Sequence, residues 1–130
     1  MGEKEAYKPE ISSRSEKLAP STGELRRIET FEIERENFGD DGETFYLGPE
    51  ARITIQRSQD SPTGLEVYSP FAEEKNTPLK PGLNTVGRRE TSDVVINVAT
   101  VSRDHLSITV DLERVYVTDI DTTNGTRVEL

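Results

Sequence analysis

From Leu83 onward the chain is a series of short β-prone runs divided by polar turns, with no helical spacing between them. Leu106-Ser107-Ile108-Thr109-Val110 and Val115-Tyr116-Val117-Thr118 alternate apolar and polar side chains, the period of a half-buried strand. Val94-Val95-Ile96-Asn97-Val98 is almost continuously β-branched, as expected of a strand buried on both faces or near a sheet centre. Leu83 to Val86 and Thr126 to Leu130 complete the series. Short strands at this spacing predict an all-β sandwich.

The same texture begins earlier. Phe45-Tyr46-Leu47 is a brief strand-like run stopped by Gly48-Pro49, and Ala51 to Arg57 alternates strictly, with Ala51, Ile53 and Ile55 on one face. Leu65 to Tyr68 reads as a further strand, whereas Ser69 to Pro78 reads as a long loop because Pro70 and Pro78 disfavour a central strand. Upstream, residues 1–42 mix Lys, Arg and Glu with Ser and Pro and hold few apolar residues. They read as a flexible, largely disordered arm. Leu25, Ile28 and Phe31 at i, i+3 spacing suggest one short helix within it, from about Glu24 to Glu36. The expected division is therefore an arm over 1–42 and a sandwich over 43–130.

Composition narrows the function classes. With 130 residues there is room for one domain and a tail, and hydrophobic residues make up 32%. That falls below the usual ~45–50%, even allowing for the glycine included in that figure. The formal net charge of −9 argues against a general nucleic-acid binder or an anionic-membrane binder. There is no cysteine, so disulfides and thiolate metal sites are excluded, and nothing calls for a cofactor. Met1 to Glu5 lacks the apolar core of a secretory signal, and no apolar run approaches the ~20 residues of a membrane span. The expectation is a soluble intracellular protein, cytoplasmic or nuclear.

Three polar clusters sit between the later strands: Gly87-Arg88, Ser102-Arg103-Asp104-His105 and Thr122-Thr123-Asn124-Gly125-Thr126. A phosphorylated threonine brings about −1.5 to −2 charges and three strong acceptor oxygens. Holding it takes a guanidinium, small hydroxyl or backbone N–H donors, and an amide that can grip peptide main chain. Arg88 supplies the first, Ser102 the second, and Arg103 a further positive group. Asn124 can donate and accept, with the Thr123 hydroxyl beside it. Thr-Thr-Asn-Gly is also a plausible tight turn, since Asn and Gly tolerate positive φ.

Asn84-Thr85-Val86-Gly87-Arg88, Ser92 to Ile96, Val101 to His105, Val117 to Ile120 and Thr123 to Thr126 together resemble the forkhead-associated (FHA) domain, over about residues 79–130. The resemblance implies a β-sandwich that reads phosphothreonine through loops at one end. It implies phosphate contacts from Arg88 and Ser102, and peptide contacts from Arg103, Thr123 and Asn124. Gly87, His105, Asp119 and Gly125 would hold the loops in shape. The partner implied is a phosphothreonine-containing protein. Thr122 stands where family members commonly have Ser, which keeps the hydroxyl. Such domains normally continue past this point with closing strands, so the expected sandwich lacks its C-terminal closing strands. Ala51 to Arg57 is taken as its ordinary first strand. A permuted arrangement is the alternative, because Gly39-Asp40 before Phe45 resembles the turn preceding a closing strand.

Other readings remain open. A structural or scaffold protein, a truncated FHA-like domain that has lost phosphopeptide binding, would show the same strands. Arg88 could pair with Glu90 or Asp93 as an ordinary surface arginine. Ser102, His105 and Asp119 could be imagined as a hydrolase triad but lack the Gly-x-Ser-x-Gly elbow, and Asp119 with Asp121 lacks the full calcium-loop pattern. Thr22, Thr30 and Thr44 each precede an apolar residue by three positions, which suggests an intramolecular tail ligand for the module's own site.

Overall fold

The computed structural model describes residues 25–120 and 122–129. It contains β1 (Leu25–Arg27), β2 (Thr30–Glu34), β3 (Glu43–Leu47), β4 (Ala51–Arg57), β5 (Leu65–Tyr68) and β6 (Asn76–Pro78). These are followed by β7 (Gly82–Gly87), β8 (Val94–Val95), β9 (Leu106–Val110), β10 (Arg114–Asp119) and β11 (Thr126–Glu129). They form two facing sheets, six strands in the order β1-β11-β3-β4-β5-β6 and five in the order β2-β10-β9-β7-β8. No α-helix occurs among the described residues; the one helical turn is a 3-10 turn at Arg35–Asn37.

Alternation sets which face of each strand is buried. In β4, Ala51, Ile53 and Ile55 point inward while Arg52 is exposed, and in β9 Leu106, Ile108 and Val110 are buried. Phe31 of β2 and Phe45 of β3 meet edge to face across the two sheets, with ring centroids 5.6 Å apart. Burying one such aromatic side chain stabilises the fold by about 1.5–3 kcal/mol, so β2 and β3 belong to the core.

The expected helix over 24–36 is two strands instead. Phe31 and Ile33 are buried while Thr30, Glu32 and Glu34 are exposed, which is a period of two and not 3.6. A strand partner decides the matter: β2 pairs along β10 from Thr118↔Thr30 to Arg114↔Glu34. The expected arm therefore divides. Residues 1–24 lie outside the described residues, and 25–42 bring two strands to the sandwich.

Those strands also correct the expected gap in the sheets. β11 pairs with β1 on one side and with β3 on the other, so the places beside it are filled from upstream. β2 likewise covers β10. Ala51 to Arg57 is not a first strand: β4 lies inside the six-stranded sheet, between β3 and β5. The segment before Ser58 thus supplies neighbours of β11 in one sheet and of β10 in the other. A turn closed by Ser58 N–H to Gly64 O at 2.9 Å then joins β4 to β5.

The β-branched run at Val94 differs as well. Only Val94–Val95 forms a strand, at the edge of its sheet and parallel to β7. Val94 and Ile96 are buried, but the chain bends at once, with Val98 N–H bonding to Ile96 O at 3.0 Å. The apolar content serves packing beneath the neighbouring loops and not a central position. Within the expected loop from Ser69, Asn76–Pro78 adds an edge strand, a place where proline is tolerated.

Candidate functional site

The three polar clusters converge on His105. Its side chain has no exposed surface. Its backbone N–H donates to Val86 O at 3.0 Å, tying it to the end of β7. Its Nδ1 accepts the Ser102 N–H at 3.0 Å, and its Nε2 lies 2.9 Å from Gly125 O. Because the Ser102 amide can only donate, Nδ1 carries the lone pair and Nε2–H donates to Gly125. Burial pushes the imidazole below its ordinary pKa, against the raising effects of the Gly125 bond and the Asp119 charge. A neutral histidine thus pins all three loops at once.

Gly87 allows the first two loops to touch. A Cβ there would lie 2.0 Å from Arg103 O, inside the main chain of the second loop. The contact continues outward through Arg88 N–H to Ser102 O at 3.0 Å and Arg89 N–H to Arg103 O at 3.3 Å. The Arg88 side chain is exposed and its Nε donates to Val101 O at 2.9 Å. Among the described residues, neither terminal nitrogen of Arg88 has a hydrogen-bond or ion-pair partner. Asp93 is engaged elsewhere, by Thr85 and Lys80. Arg89 is the arginine in a surface pair, with Asp104 at 3.0 Å.

Ser102 is half-buried, and its hydroxyl has no hydrogen-bond partner among the described residues. Arg103 is exposed, likewise without an ion pair there. Thr123 is exposed at the tip of the third loop. Asn124 is half-buried and its Nδ2 donates to Thr100 O at 2.8 Å, which fastens the third loop to the approach of the second. One amide proton and the side-chain carbonyl of Asn124 remain without a partner among the described residues.

Asp119 and Gly125 shape that third loop. Asp119 Oδ1 accepts the hydroxyls of Thr122 at 2.8 Å and Thr126 at 2.7 Å, and Oδ2 accepts the Thr122 N–H at 3.3 Å. Gly125 has a φ of 77° and returns its N–H to the Thr122 hydroxyl at 2.9 Å. The turn needs that left-handed backbone, which glycine adopts without steric cost. Ser102, His105 and Asp119 do not form a proton relay, since the imidazole takes the Ser102 amide and Asp119 faces two threonines. Asp121 lies outside the described residues.

Three supports for this loop were not legible in the sequence. Arg27 of β1 donates from Nη2 to Thr122 O at 3.1 Å, and Arg127 of β11 donates from Nη1 to Asn124 O at 3.1 Å. Gly48 N–H shares Gly125 O with the imidazole, at 3.1 Å. Only the pairing of β1 and β3 with β11 brings Arg27 and Gly48 here, so no local motif could have marked them.

The tail-ligand idea fails for two of its threonines. Thr30 and Thr44 lie within β2 and β3, and the Thr44 hydroxyl is 2.9 Å from that of Thr54. A residue held in a sheet ladder cannot cross the loops of its own domain. Thr22 lies outside the described residues.

The family model of the FHA domain matches residues 84–129. That stretch of the chain is similar to an FHA domain, and the two-sheet, all-β architecture is consistent with an FHA β-sandwich. FHA domains are interaction modules that act through phosphopeptides, not enzymes. No curated protein and no solved structure matches the chain. The strands from β1 to β6 lie before the matched stretch, yet they supply most of the six-stranded sheet that backs it. Among the described residues no helix is long and apolar enough to cross a membrane.

Proposed function

We propose that this chain binds phosphothreonine peptides of partner proteins and performs no chemistry on them. The observation that carries the reading is the Arg88–Ser102 pair. Their backbones are joined at 3.0 Å, while the outer guanidinium nitrogens and the serine hydroxyl keep donors unengaged among the described residues. That combination suits phosphate oxygens, which favour charge-assisted donors in fork geometry. Arg103, Thr123 and Asn124 then line the peptide on either side, Asn124 through its remaining amide proton and carbonyl. Gly87, His105, Asp119 and Gly125 hold the loops and touch no ligand.

The test is titration of the full chain with matched phosphothreonine and unphosphorylated peptide libraries. Selective binding of the phosphorylated set supports the reading, and equal binding of both sets sinks it. A scaffold without phosphate recognition would instead show a self-association that covers Arg88 and Ser102.

A further inference from the structure

On the outer face of the six-stranded sheet, the row nearest the third loop is cationic. Strand register places Arg27 directly opposite Arg127, Arg127 opposite Tyr46, and Tyr46 opposite Arg52. Burial alternation turns Arg127, Tyr46 and Arg52 away from the core, and Arg27 is exposed. The Arg52 guanidinium lies 5.7 Å from the centre of the Phe71 ring, which holds it against the sheet surface. Two arginines facing each other across a strand pair repel. Among the described residues no carboxylate forms an ion pair with Arg27, Arg127 or Arg52. The acidic side chains of this face, Glu129 and Glu66, lie further along their strands, and Glu66 is taken by Gln56 and Asn76.

This local field stands out in a chain of net charge −9. It is also continuous with the loops. Arg127 and Arg27 bond the carbonyls of Asn124 and Thr122, on either side of Thr123. A peptide gripped by Asn124 would therefore leave the loops beside the row.

The geometry points to an acidic-flank subsite: the row takes Asp or Glu side chains of the bound phosphopeptide on one side of its phosphothreonine. The inference rests on the phosphopeptide reading above. Carboxylates suit it because a guanidinium fork donates to both carboxylate oxygens, and Tyr46 adds a hydroxyl donor between two of the arginines. An anion at the row also relieves the Arg27–Arg127 repulsion, so ligand binding removes a strain that the free protein retains.

The experiment measures affinity of the full chain for phosphothreonine peptides with neutral flanks, with acidic residues only before the phosphothreonine, and with them only after it. One of the two acidic arms is expected to bind about fivefold or more tighter than the neutral peptide at low salt. Arg52→Gln should cancel that gain while leaving the neutral-flank affinity unchanged, since among the described residues Arg52 has no hydrogen bond or ion pair to the three loops. Arg127→Gln should cancel it too, with some loss for every peptide through Asn124. Intact phosphothreonine binding with no gain from either flank, or a gain that survives both substitutions, overturns the inference alone. Absence of phosphorylation-dependent binding to any peptide overturns the proposed function and the inference with it.

Discussion

Ser102 gives its amide proton to Nδ1 of His105 at 3.0 Å, so the residue proposed to meet phosphate is positioned by an imidazole that must stay neutral. Protonation would set an N–H against an N–H and open the second loop. The folded-state pKa is depressed by burial, whereas the unfolded chain takes the proton near the ordinary ~6.5. The contribution of His105 to stability is therefore complete above about 6.5 and is lost as pH falls below it, with a slope of up to about 1.4 kcal/mol per pH unit. Thermal melts between pH 7.5 and 5 (on the order of the window where carboxylates stay ionised) should show a falling Tm. His105→Asn should be less stable throughout and lack that component of the slope.

Gly87→Ala should damage the site through the main chain. The added methyl would meet Arg103 O at 2.0 Å, and backbone cannot step aside as a flexible side chain would. Separation of the first two loops breaks the Arg88–Ser102 backbone bond. A destabilisation of about 2–4 kcal/mol by denaturant titration is expected, with phosphopeptide affinity falling further than the stability loss explains at temperatures where the variant stays folded.

Neighbouring arginines should separate function from surface charge. Arg88→Ala should remove most phosphopeptide affinity, about 2–5 kcal/mol, because the phosphate would lose a charge-assisted partner. Arg89→Ala breaks only an exposed pair with Asp104 and should change stability and affinity by less than about 1 kcal/mol. Calorimetric titration of both variants against one phosphothreonine peptide decides the comparison.

Arg27→Leu should loosen the third loop while leaving β1 apolar enough to pair. Thr122 O loses its guanidinium donor, a hydrogen bond worth about 1–3 kcal/mol to a charged group. Amide exchange at Gly125, whose N–H is bonded to the Thr122 hydroxyl, should speed up more than exchange within β9.

The strands of β9, β10 and β4 were legible because each buries one face, and a period of two follows from that alone. His105, Asp119 and Gly125 stood out in the sequence as polar-cluster residues, and in the structure they bond or turn within the second and third loops. What a linear reading missed depends on partners remote in sequence. Leu25, Ile28 and Phe31 fit a helical spacing until β10 is laid beside the strand that holds Phe31. The Val94 run carries a core composition, but its edge position is fixed by the loop that returns the chain parallel to β7. Arg27 carries no local sign of its role, because its contact with Thr122 spans 95 residues of sequence.

Leu25 pairs with Glu129, so the first and last described strands run side by side in opposite directions. A pull on both would load the β1–β11 ladder in the manner of a zip, one rung at a time, and not share the force across all rungs as shear would. Opening starts at Leu25–Glu129, passes Arg26–Val128 and reaches Arg27–Arg127 at the third rung. There Thr122 and Asn124 lose the arginines beneath them. Mechanical tension on these two strands thus arrives at the third loop before it reaches the core.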